Sequence, residues 1–144
     1  MMKLQFDLEI KPISYNAYYR NSRAGKRIKT GKGHAFDEEL GVLLEDHAEA
    51  LLRFGRFFDP SKNIIKMIMD VGNTGYLIKD KSRLSMTAGD VDNYIKVTQD
   101  KMFGVMEVDD YSCRHVEVSD YDSCEDITHI TLEIKPQRMR KWNN

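Results

Sequence analysis

Gly89–Ser112 reads GDVDNYIKVTQDKMFGVMEVDDYS, and the rest of the chain is organised around it. Val91, Ile95, Thr98, Met102 and Val105 recur at steps of four and three, the spacing that gathers side chains on one stripe of an α-helix. At ~100° per residue, Asp92, Lys96 and Asp100 fall together on another side. Asp90 precedes the stripe as an N-cap, with Asn93 three positions later. After Met106 the periodicity stops, and Glu107, Asp109 and Asp110 follow in a loop. Carboxylates therefore cluster near the helix start and recur just past its end. A chain that folds back after Met106 brings both sets to one point.

Mg²⁺ and Mn²⁺ prefer carboxylate and water oxygens, and Mg²⁺ takes only a few protein carboxylates. Asp90, Asp92 and Asp110 are the candidate ligands. A cation held by them clamps and polarises a phosphate and makes hydroxide from bound water. Lys96, one turn beyond Asp92, is spaced to meet the negative charge that grows on phosphate in the transition state. The competing reading is that these aspartates only cap and solvate a helix. An EF-hand is excluded, because Tyr94 and Ile95 occupy positions where that loop requires an oxygen ligand and a glycine.

Asp90-Val91-Asp92-Asn93, Lys96, Asp100 and Val108-Asp109-Asp110 together resemble the RusA family of Holliday junction resolvases, found in bacteria, prophages and phages. Ser14-Tyr15-Asn16-Ala17-Tyr18-Tyr19-Arg20 is similar to that family's S-x-N-x-Y-Y-R segment. Gly89 departs from the family, which often has a basic residue before the first aspartate, and the Gly72 to Gly89 loop is longer than usual. The resemblance implies a Mg²⁺-dependent endodeoxyribonuclease, with Mn²⁺ as a substitute, that resolves four-way junctions and other branched DNA by paired nicks. It implies Asp90, Asp92, Lys96 and Asp110 as catalytic residues, with Asp100 and Asp109 supporting the ligands from behind. A symmetric four-way junction needs two cuts, so it also implies a homodimer. Two other functions stay open: a non-catalytic protein that binds branched DNA, and a general debranching nuclease of the same chemistry.

A chain of 144 residues, 41% hydrophobic and 31% charged, is expected to form one domain, 1–144, with one core. Its apolar runs are too short for a membrane span and no signal peptide is expected before Lys3, so a cytoplasmic location is expected. Cys113 and Cys124 have no C-x-x-C partner, which argues against zinc and a disulfide framework.

The net charge of −1 conceals an asymmetry. Ser14 to Ala35 holds no acid but carries Arg20, Arg23, Lys26, Arg27, Lys29 and Lys32. Glu107 to Asp126 is acidic, and the tail 136–144 is basic again through Arg138, Arg140 and Lys141. Nucleic acid binding needs basic surface opposite phosphate rather than a basic average. The arm 13–34, with its tyrosines and glycines, reads as a flexible DNA-binding segment whose aromatic rings suit exposed bases. Its candidate contacts are Asn16, Tyr19, Arg20, Arg23, Lys26, Arg27 and Lys29.

The expected fold is α+β (mixed α/β), in the order β-α-β-α-β-β, with about four strands in a single layer packed by two helices. Lys3 to Ile10 alternates as a strand. Ala35 to Phe54 reads as one long helix, with Asp37, Glu38 and Glu39 near its start favouring the helix dipole and His47 packed on its apolar stripe. Asn63 to Val71 is apolar at nearly every position, so it is expected to be a central strand. Gly72 to Gly89 is a loop carrying Lys79, Lys81 and Arg83. Its apolar Tyr76-Leu77-Ile78 suits either a subunit contact or a small extra hairpin. Arg114 to Ser119 and Ile127 to Lys135, joined by an acidic turn, read as a final hairpin with Val116, Val118, Ile130, Leu132 and Ile134 inward. His115 and His129 fall on the outward phase.

Overall fold

The computed structural model describes residues 2–74 and 95–137. The elements are β1 (Lys3–Leu8), α1 (Tyr15–Tyr18), β2 (Tyr19–Asn21), β3 (Arg27–Lys29), α2 (Gly31–Glu45), α3 (Ala48–Phe57), β4 (Asn63–Asn73), α4 (Ile95–Met106), a 3₁₀ turn (Asp110–Ser112), β5 (Cys113–Asp122) and β6 (Ile127–Pro136). This is a mixed α+β fold. Four strands form one sheet in the order β1-β6-β4-β5, and β2 and β3 form a separate two-stranded sheet.

Period-two alternation decides which face of the large sheet is dry. In β4, Ile65, Met67, Met69 and Val71 are all 0% exposed. They lie in register with Ile134, Leu132, Ile130 and Thr128 of β6. Phe36, Leu40 and Leu44 of α2, Leu51 and Phe54 of α3, and Met102 and Phe103 of α4 complete one core with these residues. Each such side chain contributes about 1.5–3 kcal/mol when fully buried, so this cluster dominates the stability of the fold. The opposite face is a polar lattice. Lys66 pairs with Glu117 at 3.2 Å, Ser119 donates to Asp70 at 3.0 Å, and His129 bridges Asp7 and Tyr121 at 2.7 and 2.6 Å.

Strand β4 is central, as its apolar run suggests, but the expected final hairpin does not form. β5 pairs parallel with β4, β6 pairs antiparallel with β4, and β4 lies between them. α4 lies on the crossover between the parallel strands β4 and β5, the connection such a pair requires. Alternation reports a strand's face but not its neighbour. β6 is the strand that fits between β1 and β4, while β5 takes the edge, where Val116 remains 37% exposed despite its inward phase. The short β5–β6 link runs close to Gly72. A Cβ there would lie 2.8 Å from Ile127 Cγ2 and 3.1 Å from Ser123 Cβ, so glycine is what lets the link pass.

The single helix expected over Ala35 to Phe54 is two helices, broken at Asp46 and His47. Neither a glycine nor a proline marks the break. His47 is half-buried and lies 4.7 Å from the Phe6 ring, so it packs where the apolar stripe placed it. α2 also begins earlier than expected. Thr30 caps it, accepting the Gly33 N–H at 3.0 Å, and Asp37 to Glu39 fall beyond its first turn, which holds no acid.

The basic arm is folded rather than flexible. Ser14 starts α1 by accepting the Ala17 N–H on its hydroxyl at 3.2 Å. β2 and β3 then form a hairpin with Tyr19 opposite Lys29 and Asn21 opposite Arg27. Gly25, at φ 76, makes the turn. Gly33 serves close packing, since a Cβ there would lie 2.6 Å from the Tyr18 carbonyl oxygen. An acid from outside the arm anchors it. Asp37 of α2 accepts the Tyr18 hydroxyl at 2.9 Å and pairs with Lys29 and, at 3.4 Å, with Lys101 of α4. Burial alone would push the Asp37 carboxyl up, but hydrogen bonds from Lys29 and Tyr18 and the charge of Lys101 hold it below its ordinary value.

At the far end of α4 the chain reverses through a paired cap. Val108 N–H donates to Phe103 O and Glu107 N–H to Gly104 O, both at 3.2 Å, with Glu107 left-handed at φ 59. A non-glycine residue in that conformation is strained by about 1–2 kcal/mol. Glu107→Gly is therefore expected to raise the denaturant midpoint, gaining about 0.5–1 kcal/mol once the looser unfolded chain is counted. A lower midpoint would show that the Glu107 side chain holds the turn. Among the described residues, no helix is long and apolar enough to cross a membrane. The Tyr76-Leu77-Ile78 segment and the tail from 138 lie outside the described residues.

Candidate active site

Helical spacing and the chain reversal build the site. Lys96 and Asp100 stand one turn apart on the exposed side of α4, away from buried Thr98, Met102 and Phe103. The reversal at Glu107 then returns the chain so that Asp110 starts the 3₁₀ turn beside them. Lys96 Nζ lies 3.6 Å from Asp100 Oδ1 and 3.5 Å from Asp110 Oδ2. The two carboxyls also lie close enough to influence each other. Burial and the neighbouring Asp110 push Asp100 up, with Lys96 opposing, whereas Asp100 and the Lys96 charge hold Asp110 down. The two carboxyls therefore titrate as a linked pair, with the lysine ammonium beside both.

Asp109 is exposed and directly precedes Asp110 at the start of the 3₁₀ turn. Asp90, Asp92 and Asn93 lie outside the described residues. Among the described residues, no group of three or more His, Cys, Asp or Glu could hold a metal ion. What Asp100 and Asp110 supply is two neighbouring carboxyls beside one ammonium. Their hard oxygen donors are the kind that a divalent cation of the Mg²⁺ type takes.

The arm borders the same place. A cavity of about 100 Å³ is lined by Tyr19 and Arg27 of the hairpin and by Lys96, Asp100 and Lys101 of α4. A second cavity, of about 170 Å³, shares Tyr19 and Arg27 with the first and is also lined by Asn16, Arg20 and Asn21. The Arg27 guanidinium carbon sits 4.3 Å from the Tyr19 ring centroid. Arg23 and Lys26 are exposed at the hairpin turn, whereas Lys29 turns inward to Asp37. Lys101 escaped the sequence reading, which gave Asp37 only a role at the helix dipole. Lys101 follows Asp100 directly, and its place on the helix put it next to the candidate stripe, but its partner comes from a distant helix.

The remaining reactive groups lie elsewhere. Cys113 and Cys124 are free thiols, and burial pushes Cys113 up to about 11, so it is no thiolate at neutral pH. His115 stands beside Glu117 on the open face of the sheet. No known family model matches the chain, and no curated protein matches its sequence.

Proposed function

We propose that the chain is a metal-dependent endonuclease acting on branched DNA, four-way junctions above all, as a homodimer that makes paired nicks. The observation that carries this reading is the convergence of Lys96, Asp100 and Asp110 on one point beside a folded cationic hairpin. A pure capping role for the aspartates gives no reason for a carboxyl from beyond the helix to return to Lys96.

In this reading Asp90, Asp92 and Asp110 hold Mg²⁺, which supplies Lewis-acid charge and lowers the pKa of a bound water. Asp100, linked to Asp110 through Lys96, and Asp109, its chain neighbour, orient Asp110. Lys96 offers its ammonium to the phosphate oxygen on which charge accumulates. The test is cleavage of labelled four-way, three-way and linear DNA with Mg²⁺ and then with EDTA. Absence of any metal-dependent cleavage overturns the proposal. Equal cleavage of all three substrates reduces it to a general nuclease.

Lys96 also separates chemistry from scaffolding. As an exposed partner of Asp100 alone, it is worth roughly 0.3–0.5 kcal/mol of stability and nothing in rate. As a transition-state charge, its loss costs about 10²–10³ in rate. Lys96→Met is expected to leave Tm and junction affinity near wild type while single-turnover cleavage falls at least tenfold. A rate within a factor of about three of wild type would make Lys96 structural.

A further inference from the structure

We infer that Arg27 of β3 and Lys101 of α4 form a phosphate seat, bordering the acid pair, that holds a DNA backbone phosphate flanking the one that is cut. The inference rests on the nuclease reading for its biological ligand, but its chemistry stands on the cavity itself.

The cavity wall is predominantly cationic. Arg27, Lys96 and Lys101 line it against the single carboxyl of Asp100. Lys101 is paired with Asp37, but Asp37 also serves Lys29 and accepts the Tyr18 hydroxyl. One carboxylate shared by two ammoniums leaves a surplus positive charge, and Lys101 is the more exposed of the two lysines, at 40% against 29%. Arg27 lies over the Tyr19 ring, so its guanidinium is held in place before any ligand arrives. A guanidinium fork and an ammonium lining one cavity are the donor set that phosphate oxygens accept.

Size decides which part of a nucleotide enters. A volume of about 100 Å³ is far below the roughly 300–1,000 Å³ of pockets that enclose whole drug-sized ligands. The cavity therefore suits a tetrahedral oxyanion and excludes a nucleoside. The second cavity, with Asn16 and Arg20, shares Tyr19 and Arg27 with the first. A strand whose scissile phosphate sits at Lys96 thus has the Arg27–Lys101 seat and the Arg20 depression beside it for its neighbouring phosphates.

The experiment is titration of thymidine 3′,5′-bisphosphate in EDTA, followed by calorimetry, into wild type, Arg27→Ala, Lys101→Ala, the charge-keeping Lys101→Arg and Asp100→Asn. Far-ultraviolet circular dichroism checks that each variant is folded. Wild type is expected to bind. Each alanine variant should lose at least fivefold in affinity, Lys101→Arg should recover most of that loss, and Asp100→Asn should bind as well as wild type or better. On junction DNA, each alanine variant should flatten the slope of log affinity against log salt by about one unit. In cleavage, each should raise KM more than it lowers kcat. No bisphosphate binding by wild type, or undiminished binding by folded Arg27→Ala and Lys101→Ala, overturns the seat. Junction cleavage with unchanged variants would sink the seat and leave the nuclease standing. Bisphosphate binding lost in both variants, in a protein that cuts no DNA, would sink the nuclease and leave the seat.

Discussion

Asp110→Asn is expected to reduce metal-dependent cleavage by at least about 10³ while leaving the fold and junction affinity intact. The substitution keeps the side chain's size and its place beside Lys96 but removes an anionic oxygen, the property a hard cation needs. It also frees Asp100. With the Asp110 charge gone, one of the influences raising Asp100 is lost, so Asp100 should titrate nearer its ordinary value, a change that carboxyl NMR reads without any activity assay. Asp90→Asn and Asp92→Asn should lose as much activity. Less negative charge beside a phosphate leaves DNA binding equal or tighter. Near-normal turnover of Asp110→Asn would remove this residue from the metal site, and an unmoved Asp100 would show that the two carboxyls do not influence each other's titration.

Gly55→Ala is expected to cost about 3 kcal/mol, close to 10 °C in Tm, although Gly55 sits inside α3, where alanine is ordinarily the better helix former. A Cβ at Gly55 would collide with the Met106 carbonyl oxygen and lie 3.2 Å from Val108 Cγ2. The first is backbone and cannot step aside by changing rotamer. The end of α4 must then move, and the reversal at Glu107 carries Asp109 and Asp110 with it. Cleavage should fall along with stability. Gly41→Ala in α2 is the control, because nothing lies within 4 Å of its added methyl, and it should gain up to about 1 kcal/mol. A Gly55→Ala protein as stable as wild type would mean that α3 and α4 are packed less closely there.

Local chemistry was legible in the sequence, and partnership was not. Alternation in Lys3 to Ile10 and the apolar run of β4 identified both strands, because burial on a sheet repeats every second residue. The stripe through Thr98 and Met102 marked the buried side of α4, and the break after Met106 marked the reversal that brings Asp110 to Lys96. The final hairpin was misread because a short acidic turn between two strands looks the same whether or not a third strand lies between them. The arm was misread for a related reason. Its glycines suggested freedom, but Gly33 answers to the Tyr18 carbonyl, and the acid that neutralises Lys29 arrives from Asp37 in the next helix. Lys101 and the cavity it lines depend on that same long-range partner.

The position of β6 has a consequence for how the chain is made. β6 hydrogen-bonds both β1 and β4, with Phe6 opposite Ile130 and Met67 opposite Leu132, yet it is synthesised after both. While the ribosome is still translating, β1 has no strand to pair with, and one edge of β4 stays open beside its row of apolar side chains. Productive collapse has to wait for residues 127–136, and the loop then closed between β1 and β6 is nearly as long as the whole chain, a slow step entropically. The nascent protein therefore passes through an interval of exposed, aggregation-prone edge that ends only with its last strand, and translation speed and holding chaperones act on its yield during that interval.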